Sequence, residues 1–158
     1  MESLINACEH GDLETIQEFF EWNSKYNIDT SYLVEIAAPR GHVDIIKCIH
    51  EHGNNIYFSE ELFEDCLRRR QYDVIKYFFD NCIEDNSTFE YVLCEVAQLG
   101  LVDLVEYLHK LETTFDKDKK SYEYALKCSA RYGKLLSVQY LFENYSNLNA
   151  SSVVKEAA

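Results

Sequence analysis

The chain contains an internal repeat, and this feature constrains its fold more than any other. Five segments of fourteen residues superimpose without a gap, beginning at Ala7, Ala37, Cys66, Val96 and Ser129. Their starting points are 30, 29, 30 and 33 residues apart. A steady period of this size is typical of arrays in which each repeat is one supersecondary unit that buries its apolar side against its neighbours.

Each segment predicts a helix, a tight turn and a second helix. A pair of small or apolar residues comes first, glycine or a substitute stands at the fifth position, and apolar residues follow two, five and eight positions later. A spacing of three gives one apolar stripe along a helix. An apolar residue three positions before the small pair extends the pattern into the preceding helix. These residues are Leu4, Val34, Phe63, Leu93 and Leu126.

The fifth position, here called the turn position, joins the two helices. Gly11, Gly41, Gly100 and Gly133 occupy it, and Arg70 takes it in the third repeat. A residue that redirects the chain between helices commonly adopts a left-handed conformation, which only glycine enters without steric cost. We therefore predict that the four glycines are structural turn residues. We expect Arg70 to cost about 1 kcal/mol or to tighten its turn differently.

Pro39 lies inside the first helix of the second repeat. Proline removes a backbone hydrogen bond and clashes with the carbonyl one turn back, which typically costs about 3 kcal/mol in a helix interior. We expect this helix to end or bend just before Pro39.

The repeat resembles the ankyrin repeat. The resemblance rests on Ala-Ala-x-x-Gly-His, paired β-branched residues, a lysine and a later His-Gly-Asn-Asn, which the second copy combines as AAPRGHVDIIKCIHEHGNN. The resemblance runs from about Glu2 to Asn147. The residue pattern is similar to that of the divergent ankyrin arrays of amoebae and of the giant viruses that infect them. It implies an all-α, ankyrin-like helical solenoid of helix-turn-helix repeats.

Two departures from the family pattern affect the expected fold. The family's Thr-Pro-Leu-His opening is replaced by sequences such as YLVE (Tyr32 to Glu35), which keep only the apolar third position. The usual period is about 33, whereas three of the four intervals here are 29 or 30. We therefore expect short or absent β-hairpin fingers in the first three connections, and a protruding loop in the charged stretch ETTFDKDKKSYEY of the fourth.

The repeats predict a single ankyrin-repeat domain over residues 1–158. We place five repeats at about 2–30, 31–60, 61–90, 91–122 and 123–150, and a partial sixth at 151–158. In the partial repeat Val153 or Val154 takes the apolar position, and Ala157 and Ala158 form the small pair. An abbreviated last repeat can leave apolar surface open to self-association.

Charge narrows the range of partners. The chain has 28 acidic and 15 basic residues, which give a net charge of −13. A field of this sign repels phosphate backbones and anionic membrane surfaces, so we expect no binding to nucleic acid or membrane. No apolar segment approaches eighteen residues, and no export signal is recognisable. We expect an intracellular, cytoplasmic protein, in the host cytoplasm if its source is viral, with reduced cysteines.

The histidines and cysteines do not form a metal or catalytic pattern. His50 and His52 are two residues apart on a predicted helix, whereas zinc sites favour helical pairs four apart or Cys-x-x-Cys. His42 takes the family's histidine position after glycine, which implies a turn-stabilising role. The six cysteines fall in repeat positions as core filler, and no phosphate-binding loop or nucleophile motif is present. We predict no metal, no cofactor and no enzymatic activity.

The arginines share one position in the repeat. Arg40, Arg68, Arg69, Arg70 and Arg131 all fall in the three-residue window that ends the first helix of a repeat. Two interpretations stay open. Arginines at a helix C-terminus complement the helix dipole, which is worth roughly a few tenths of a kcal/mol each. Stacked repeats would also align these windows into a positive strip, and arginine grips carboxylates or phosphates with its planar fork.

Several tyrosines are candidate contacts. Tyr32, Tyr91 and Tyr124 lie two residues before the recurring apolar position, where the ankyrin family exposes side chains toward its concave face, and Tyr132 lies beside Arg131. The resemblance implies a non-catalytic adaptor or scaffold that binds another protein on this face, and an acidic patch on the partner would suit the arginines. We predict that the partner-binding residues are Arg40, Arg68, Arg69, Arg131, Tyr132, Tyr91 and Tyr124. The alternative is a structural protein that self-assembles through its abbreviated C-terminal repeat.

Overall fold

The computed structural model describes residues 1–22, 30–52, 56–83, 86–111 and 120–144, and within these ranges it contains helices and no β-strand. The all-α prediction is therefore confirmed for this part of the chain. The helices are α1 (Glu2–His10), α2 (Leu13–Trp22), α3 (Ser31–Ala37), α4 (Val43–Glu51), α5 (Glu60–Arg68), α6 (Tyr72–Asn81), α7 (Asn86–Leu99), α8 (Val102–Lys110), α9 (Lys120–Arg131) and α10 (Leu135–Asn144). They form five helix-turn-helix pairs in chain order.

The turn inside each pair has the same backbone geometry. Gly11, Gly41, Gly100 and Gly133 have φ values of 77°, 83°, 81° and 66°, the left-handed conformation that the repeat pattern predicts. The residue after each turn position donates its backbone N–H to the carbonyl five residues earlier, which belongs to the first member of the small pair. This bond satisfies a carbonyl that the end of the first helix would otherwise leave without a partner.

Arg70 forms this turn without glycine. Its φ of 61° is the only positive φ among the non-glycine residues that the structure describes. The next residue, Gln71, still donates to the carbonyl of Cys66 at 2.8 Å. Arg70 therefore adopts the left-handed conformation itself, and its turn is not tightened differently.

Pro39 ends the first helix of its repeat. Helix α3 stops at Ala37, and a 3₁₀ turn, Ala38–Arg40, follows with Pro39 in its middle. At the start of a helical turn the missing proline N–H has no partner to lose. The expectation that the helix ends just before Pro39 is confirmed.

The chain divides into two compact units, and the first is Met1–Ile83. In this unit α1 packs against α3, and the 3₁₀ turn after α3 packs against α5. The second helices form another series, in which α2 contacts α4 and α4 contacts α6. Ile16, Ile46 and Ile75, which lie five residues after the turn position, are at most 1% exposed and form part of the core between these helices.

The second unit is Glu84–Ala158. Here α7 packs against α9 and α8 against α10. Phe89 and Tyr122 hold equivalent positions near the starts of α7 and α9, are fully buried, and meet edge to face with ring centroids 6.1 Å apart. Helices α7 and α9 begin a few residues before the predicted repeat starts at 91 and 123, and these first turns carry the two buried rings. The single domain over 1–158 stays a prediction.

The apolar stripe of the second helices differs from the expected one at its beginning. Residues five positions after the turn are buried in the first four repeats, but those two positions after it, such as Leu13 and Val43, are only half-buried. In the last repeat Leu135 is 65% exposed. Residues two positions after the turn are less buried because they lie in the first turn of the second helix, at the edge of the packed layer.

Some expectations lie outside the described residues. They include most of the predicted loop at ETTFDKDKKSYEY, of which residues 112–119 are not described, and the partial sixth repeat at 151–158. Parts of the first three inter-repeat connections, at residues 23–29, 53–55 and 84–85, also lie outside. Among the helices that the structure describes, none is both long enough and apolar enough to cross a membrane.

Candidate interaction surface

Arg40 ties the first two repeats together. It lies at the end of the 3₁₀ turn, where its Nη1 donates to the backbone carbonyl of Ile36 at 2.9 Å. Its Nη2 donates to Oε1 of Glu9, at the end of α1, at 3.2 Å. Arg40 therefore caps its own helix and bridges to the neighbouring one, in agreement with the helix-end interpretation.

Arg68 and Arg69 share one acidic partner. Both donate to Oδ1 of Asp65, one turn earlier, at 2.9 and 3.3 Å. Their side chains stay 70% and 55% exposed. Because exposed ion pairs contribute about 0 to 1 kcal/mol, this pairing leaves both guanidinium groups available to another carboxylate at little cost.

The other predicted contact residues lie in the second unit. Tyr124 and Tyr132, on and directly after α9, are 61% and 59% exposed, and Arg131, the last residue of α9, is also exposed. Tyr91, on α7, is half-buried. The predicted set is thus split, with Arg40, Arg68 and Arg69 in the first unit, so one continuous strip of all four arginines stays a prediction.

Leu99 is a surface residue that the repeat comparison missed. It directly precedes Gly100, as Tyr132 precedes Gly133, and it is 49% exposed. The shared position before the turn glycine was the available signal. Since α7 and α9 are in contact, we define the α7/α9 surface as Tyr91, Leu99, Tyr124, Arg131 and Tyr132.

A pair of thiols lies beside this surface. Cys94 Sγ on α7 and Cys128 Sγ on α9 are 2.8 Å apart. Cys128 is 7% exposed and Cys94 is half-buried. Tyr124 lies one helical turn before Cys128 on α9, and the charge that Cys128 and Cys94 carry when they ionise raises the pKa of the Tyr124 phenol above its ordinary value. The sequence suggested only filler at both positions.

Burial controls the chemistry of the thiol pair. Loss of hydration, the hydrogen bond to Cys128 and the nearby charges of Cys128 and Glu95 together raise the pKa of Cys94 to about 12, and Arg131 partly opposes this rise. Both cysteines are free thiols in the structure. Near neutral pH Cys94 is therefore protonated, and its sulfur is not an activated nucleophile.

The three histidines of the second repeat have separate partners. His42 Nε2 lies 3.4 Å from the backbone carbonyl of Glu9, next to the first turn. His50 Nδ1 lies 2.9 Å from the hydroxyl of Tyr77, and the His52 ring stacks on Phe20 with centroids 4.6 Å apart. Within the described ranges, no three His, Cys, Asp or Glu residues are placed to hold a metal ion. The histidines are packing residues, and the expected absence of a metal remains a prediction.

The comparisons with known proteins add no relative. No protein-family model, no curated protein and no solved structure matches the chain. A function must therefore be argued from the residues of the surface itself.

Proposed function

We propose that the chain is a non-catalytic protein–protein interaction module, an adaptor or scaffold built as an ankyrin-like solenoid and working in the cytoplasm. The order of helix contacts supports the solenoid. In the first unit α1 packs against α3 and α2 against α4, and in the second α7 packs against α9 and α8 against α10. In stacked repeats, the first helix of each repeat packs against the first helix of the next, and the second helices pack against one another in the same way.

The observation that carries the binding proposal is the exposure of large side chains on the α7/α9 surface. Leu99, Tyr124 and Tyr132 each keep about half or more of their surface in contact with water, at 49%, 61% and 59%. Tyrosine and arginine are the residues most often found at binding hot spots, and a cluster of exposed apolar area favours a partner that covers it. Arg131 adds a charged donor at the edge of this area.

The arginines of the first unit support a partner with an acidic patch. Arg68 and Arg69 already bind one carboxylate, that of Asp65, while staying largely exposed. A second carboxylate can take up their remaining donors, because guanidinium offers five N–H groups in a planar fork. The net charge of −13 keeps such a partner away from the rest of the surface and favours binding at the arginines.

The test begins with capture of the partner and measures its affinity for purified variants. We expect Tyr124→Ala combined with Tyr132→Ala to weaken binding at least about tenfold, which corresponds to about 1.4 kcal/mol. Tyr57→Ala is the matched control, since Tyr57 is 78% exposed and lies outside the surface. Equal affinity of the double variant and the control would exclude the α7/α9 surface as the binding site.

The arginines are tested separately. Four substitutions reverse the charges of the predicted contacts: Arg40→Glu, Arg68→Glu, Arg69→Glu and Arg131→Glu. Lys47→Glu is the control, because its ammonium pairs with Asp44 one turn away, at 3.5 Å, and Lys47 lies outside the predicted set. If the arginines contact an acidic patch, their reversal weakens binding more than the control does, and added salt narrows the difference. If they act only at helix ends, affinity is unchanged and stability falls slightly.

A second candidate function is self-assembly through the C-terminal end, and one observation favours it. Phe142 is 50% exposed on α10, whereas Phe20, which holds the equivalent position in the first repeat, is 6% exposed and stacks on His52 of the next repeat. Leu135 and Leu136, at the start of α10, are 65% and 66% exposed. Within the described residues, the position of α10 that corresponds to an inter-repeat contact, Phe142, is therefore exposed together with Leu135 and Leu136, and a second copy of the chain could cover this apolar area.

Sedimentation over a wide concentration range distinguishes this candidate from the first. Self-assembly predicts concentration-dependent dimers that Leu136→Asp and Phe142→Asp abolish and that Trp22→Asp, at an 86% exposed site on α2, leaves intact. Substitution of Val153 and Val154 by Asp extends the test to the partial repeat, which lies outside the described residues. A monomer at every concentration would exclude self-assembly.

A further inference from the structure

The thiols of Cys94 and Cys128 are close enough to bond. Their sulfurs are 2.8 Å apart, and a disulfide bond measures about 2.05 Å, so they need to approach by only about 0.8 Å. The two residues are on different helices, α7 and α9, which pack against each other. The packing of these helices therefore already brings the two sulfurs close together.

Cys94 combines partial access to solvent with a neighbouring thiol, whereas Cys82, the other half-buried cysteine, has no thiol this close among the described residues. Cys8 and Cys66 are fully buried, so a water-soluble oxidant cannot reach them without local unfolding. Cys94 is half-buried and lies beside the exposed ring of Tyr124. Cys94 is thus the accessible member, and Cys128 is the resolving thiol behind it.

We propose that Cys94 and Cys128 are a reversible disulfide site that closes in the presence of a peroxide. The thiolate of Cys94 attacks one peroxide oxygen, the O–O bond breaks, and a sulfenic acid forms on Cys94. Cys128 then attacks the Cys94 sulfur, the S–O bond breaks, and the oxygen leaves as water. In total two thiols and one hydrogen peroxide give one disulfide and two waters.

The charged groups and the burial around Cys94 determine the rate of this reaction. The titratable and charged groups that act on Cys94 are Cys128 and Arg131 on α9 and Glu95 on α7 itself. Burial, assisted by Cys128 and Glu95, keeps Cys94 protonated at neutral pH. Oxidation is therefore slow at neutral pH and accelerates about tenfold per pH unit up to the pKa, because the thiolate is the reacting form. The site responds to sustained rather than brief oxidation.

Closure of the disulfide would tie together the two helices that carry the α7/α9 surface. The bond would close a loop from Cys94 to Cys128 that includes α8. Closing this loop lowers the conformational entropy of the unfolded chain and so stabilises the folded one. Formation of the bond does not depend on the proposed function. Only its effect on a partner does, so a failure of one proposal leaves the other standing.

The test uses the reduced, purified chain with hydrogen peroxide at pH 8.5, after removal of reductant. We expect the monomer to lose about 2 Da, its free thiols to fall from six to four, and a non-reduced digest to contain one peptide pair joined through Cys94 and Cys128. The thermal midpoint should rise by several degrees and return after treatment with dithiothreitol.

Three variants complete the design. Cys94→Ser and Cys128→Ser should each abolish the 2 Da loss, and Cys82→Ser, at the other half-buried cysteine, should retain it. Six thiols remaining after prolonged oxidation would overturn the proposal, as would disulfide-linked dimers or a sulfinic acid in place of the internal bond. The result for the unmodified chain decides the matter even if a variant fails to fold.

Discussion

His50 and Tyr77 are joined across two repeats, with His50 Nδ1 and the Tyr77 hydroxyl 2.9 Å apart. The same pairing recurs in the second unit, where His109 Nδ1 and the Tyr140 hydroxyl are 2.7 Å apart. In both cases the histidine lies nine residues after its turn position and the tyrosine seven residues after the next one. A repeated polar contact at a fixed pair of positions sets the register between consecutive second helices.

We expect Tyr77→Phe and Tyr140→Phe to lower the free energy of unfolding by about 1 kcal/mol each, because each removes one partly buried hydrogen bond and leaves the ring in place. Urea denaturation of each variant measures the loss. Tyr57→Phe is the control, since Tyr57 is 78% exposed, and its stability should not change. Losses no larger than those of the control would mean that these bonds do not hold the repeats in register.

The local elements of the fold could be predicted from sequence, because their causes are local. Gly11 ends α1 in a left-handed turn, and Pro39 stops α3, since both residues act on their own backbone. The stacking of Ile16, Ile46 and Ile75 follows from a position that the repeat makes visible. The backbone conformation of Arg70 could not be predicted in this way. The sequence allowed either a strained left-handed conformation or a different turn, and the structure shows Arg70 in the left-handed conformation.

Contacts between repeats could not be predicted, because they depend on how side chains from distant positions meet. Arg40 was recognised as one of a series, but its bridge to Glu9, 31 residues away, was not visible. Cys94 and Cys128 do not even hold equivalent repeat positions, being 34 residues apart where the repeat offset is 33. The tyrosines and Arg131 of the α7/α9 surface were therefore named from the sequence, whereas Leu99 and the neighbouring thiol pair were missed.

Replacing the glycine at one turn position and the arginine at another should change the free energy of unfolding in opposite directions. We expect Gly11→Ala to cost about 2 kcal/mol, since alanine is strained at a φ of 77° and its Cβ would lie 2.8 Å from the His42 ring. We expect Arg70→Gly to gain about 1 kcal/mol, because glycine relieves the left-handed strain at a φ of 61°. Thermal or urea unfolding measures both changes.

Arg69→Gly is the matched control for this pair. Its φ of −90° is unstrained, so glycine relieves nothing there and adds flexibility to the unfolded chain. Stability should fall in this variant. A gain for Arg69→Gly equal to that for Arg70→Gly would show that the effect comes from loss of charge and not from the backbone.

Two serines should respond to alanine in opposite directions. Ser59 caps α5, and its hydroxyl accepts a hydrogen bond from the backbone N–H of Leu62 at 3.1 Å, so Ser59→Ala should cost about 1 kcal/mol. Ser137 is fully buried, and its hydroxyl has no hydrogen-bond partner among the described residues. Ser137→Ala should gain about 1 kcal/mol by removing a buried hydroxyl without a partner.

The repeat supports this prediction for Ser137. Ile45, Val74 and Leu104 hold the equivalent position, four residues after the turn, and all three are buried. An apolar side chain is therefore what the environment accepts. Parallel unfolding curves of the two serine variants test both signs at once, and a loss of stability in Ser137→Ala would mean that its hydroxyl is bonded after all.

The buried thiols predict that stability falls in alkali. Burial raises the pKa of Cys8 and Cys82 to about 11, and that of Cys66 to about 12, from an ordinary value of 9.0. Because the folded pKa is the higher one, the folded chain holds protons that the unfolded chain releases. The stabilisation is therefore complete below pH 9 and is lost progressively as pH rises from 9 toward 12.

Thermal unfolding from pH 7 to 11, with reductant present, measures this effect. We expect a midpoint that changes little up to pH 8.5 and falls steeply above pH 9. The slope is compared with that of Cys66→Ala, which lacks one of the buried thiols, so that contributions common to both proteins cancel. The Cys66→Ala variant should be less stable than the unmodified chain at pH 7. Between pH 9 and 11 it should lose less stability than the unmodified chain, because its unfolding no longer releases the proton of Cys66. Identical slopes for the two proteins would mean that Cys66 ionises as easily in the folded chain as in the unfolded one.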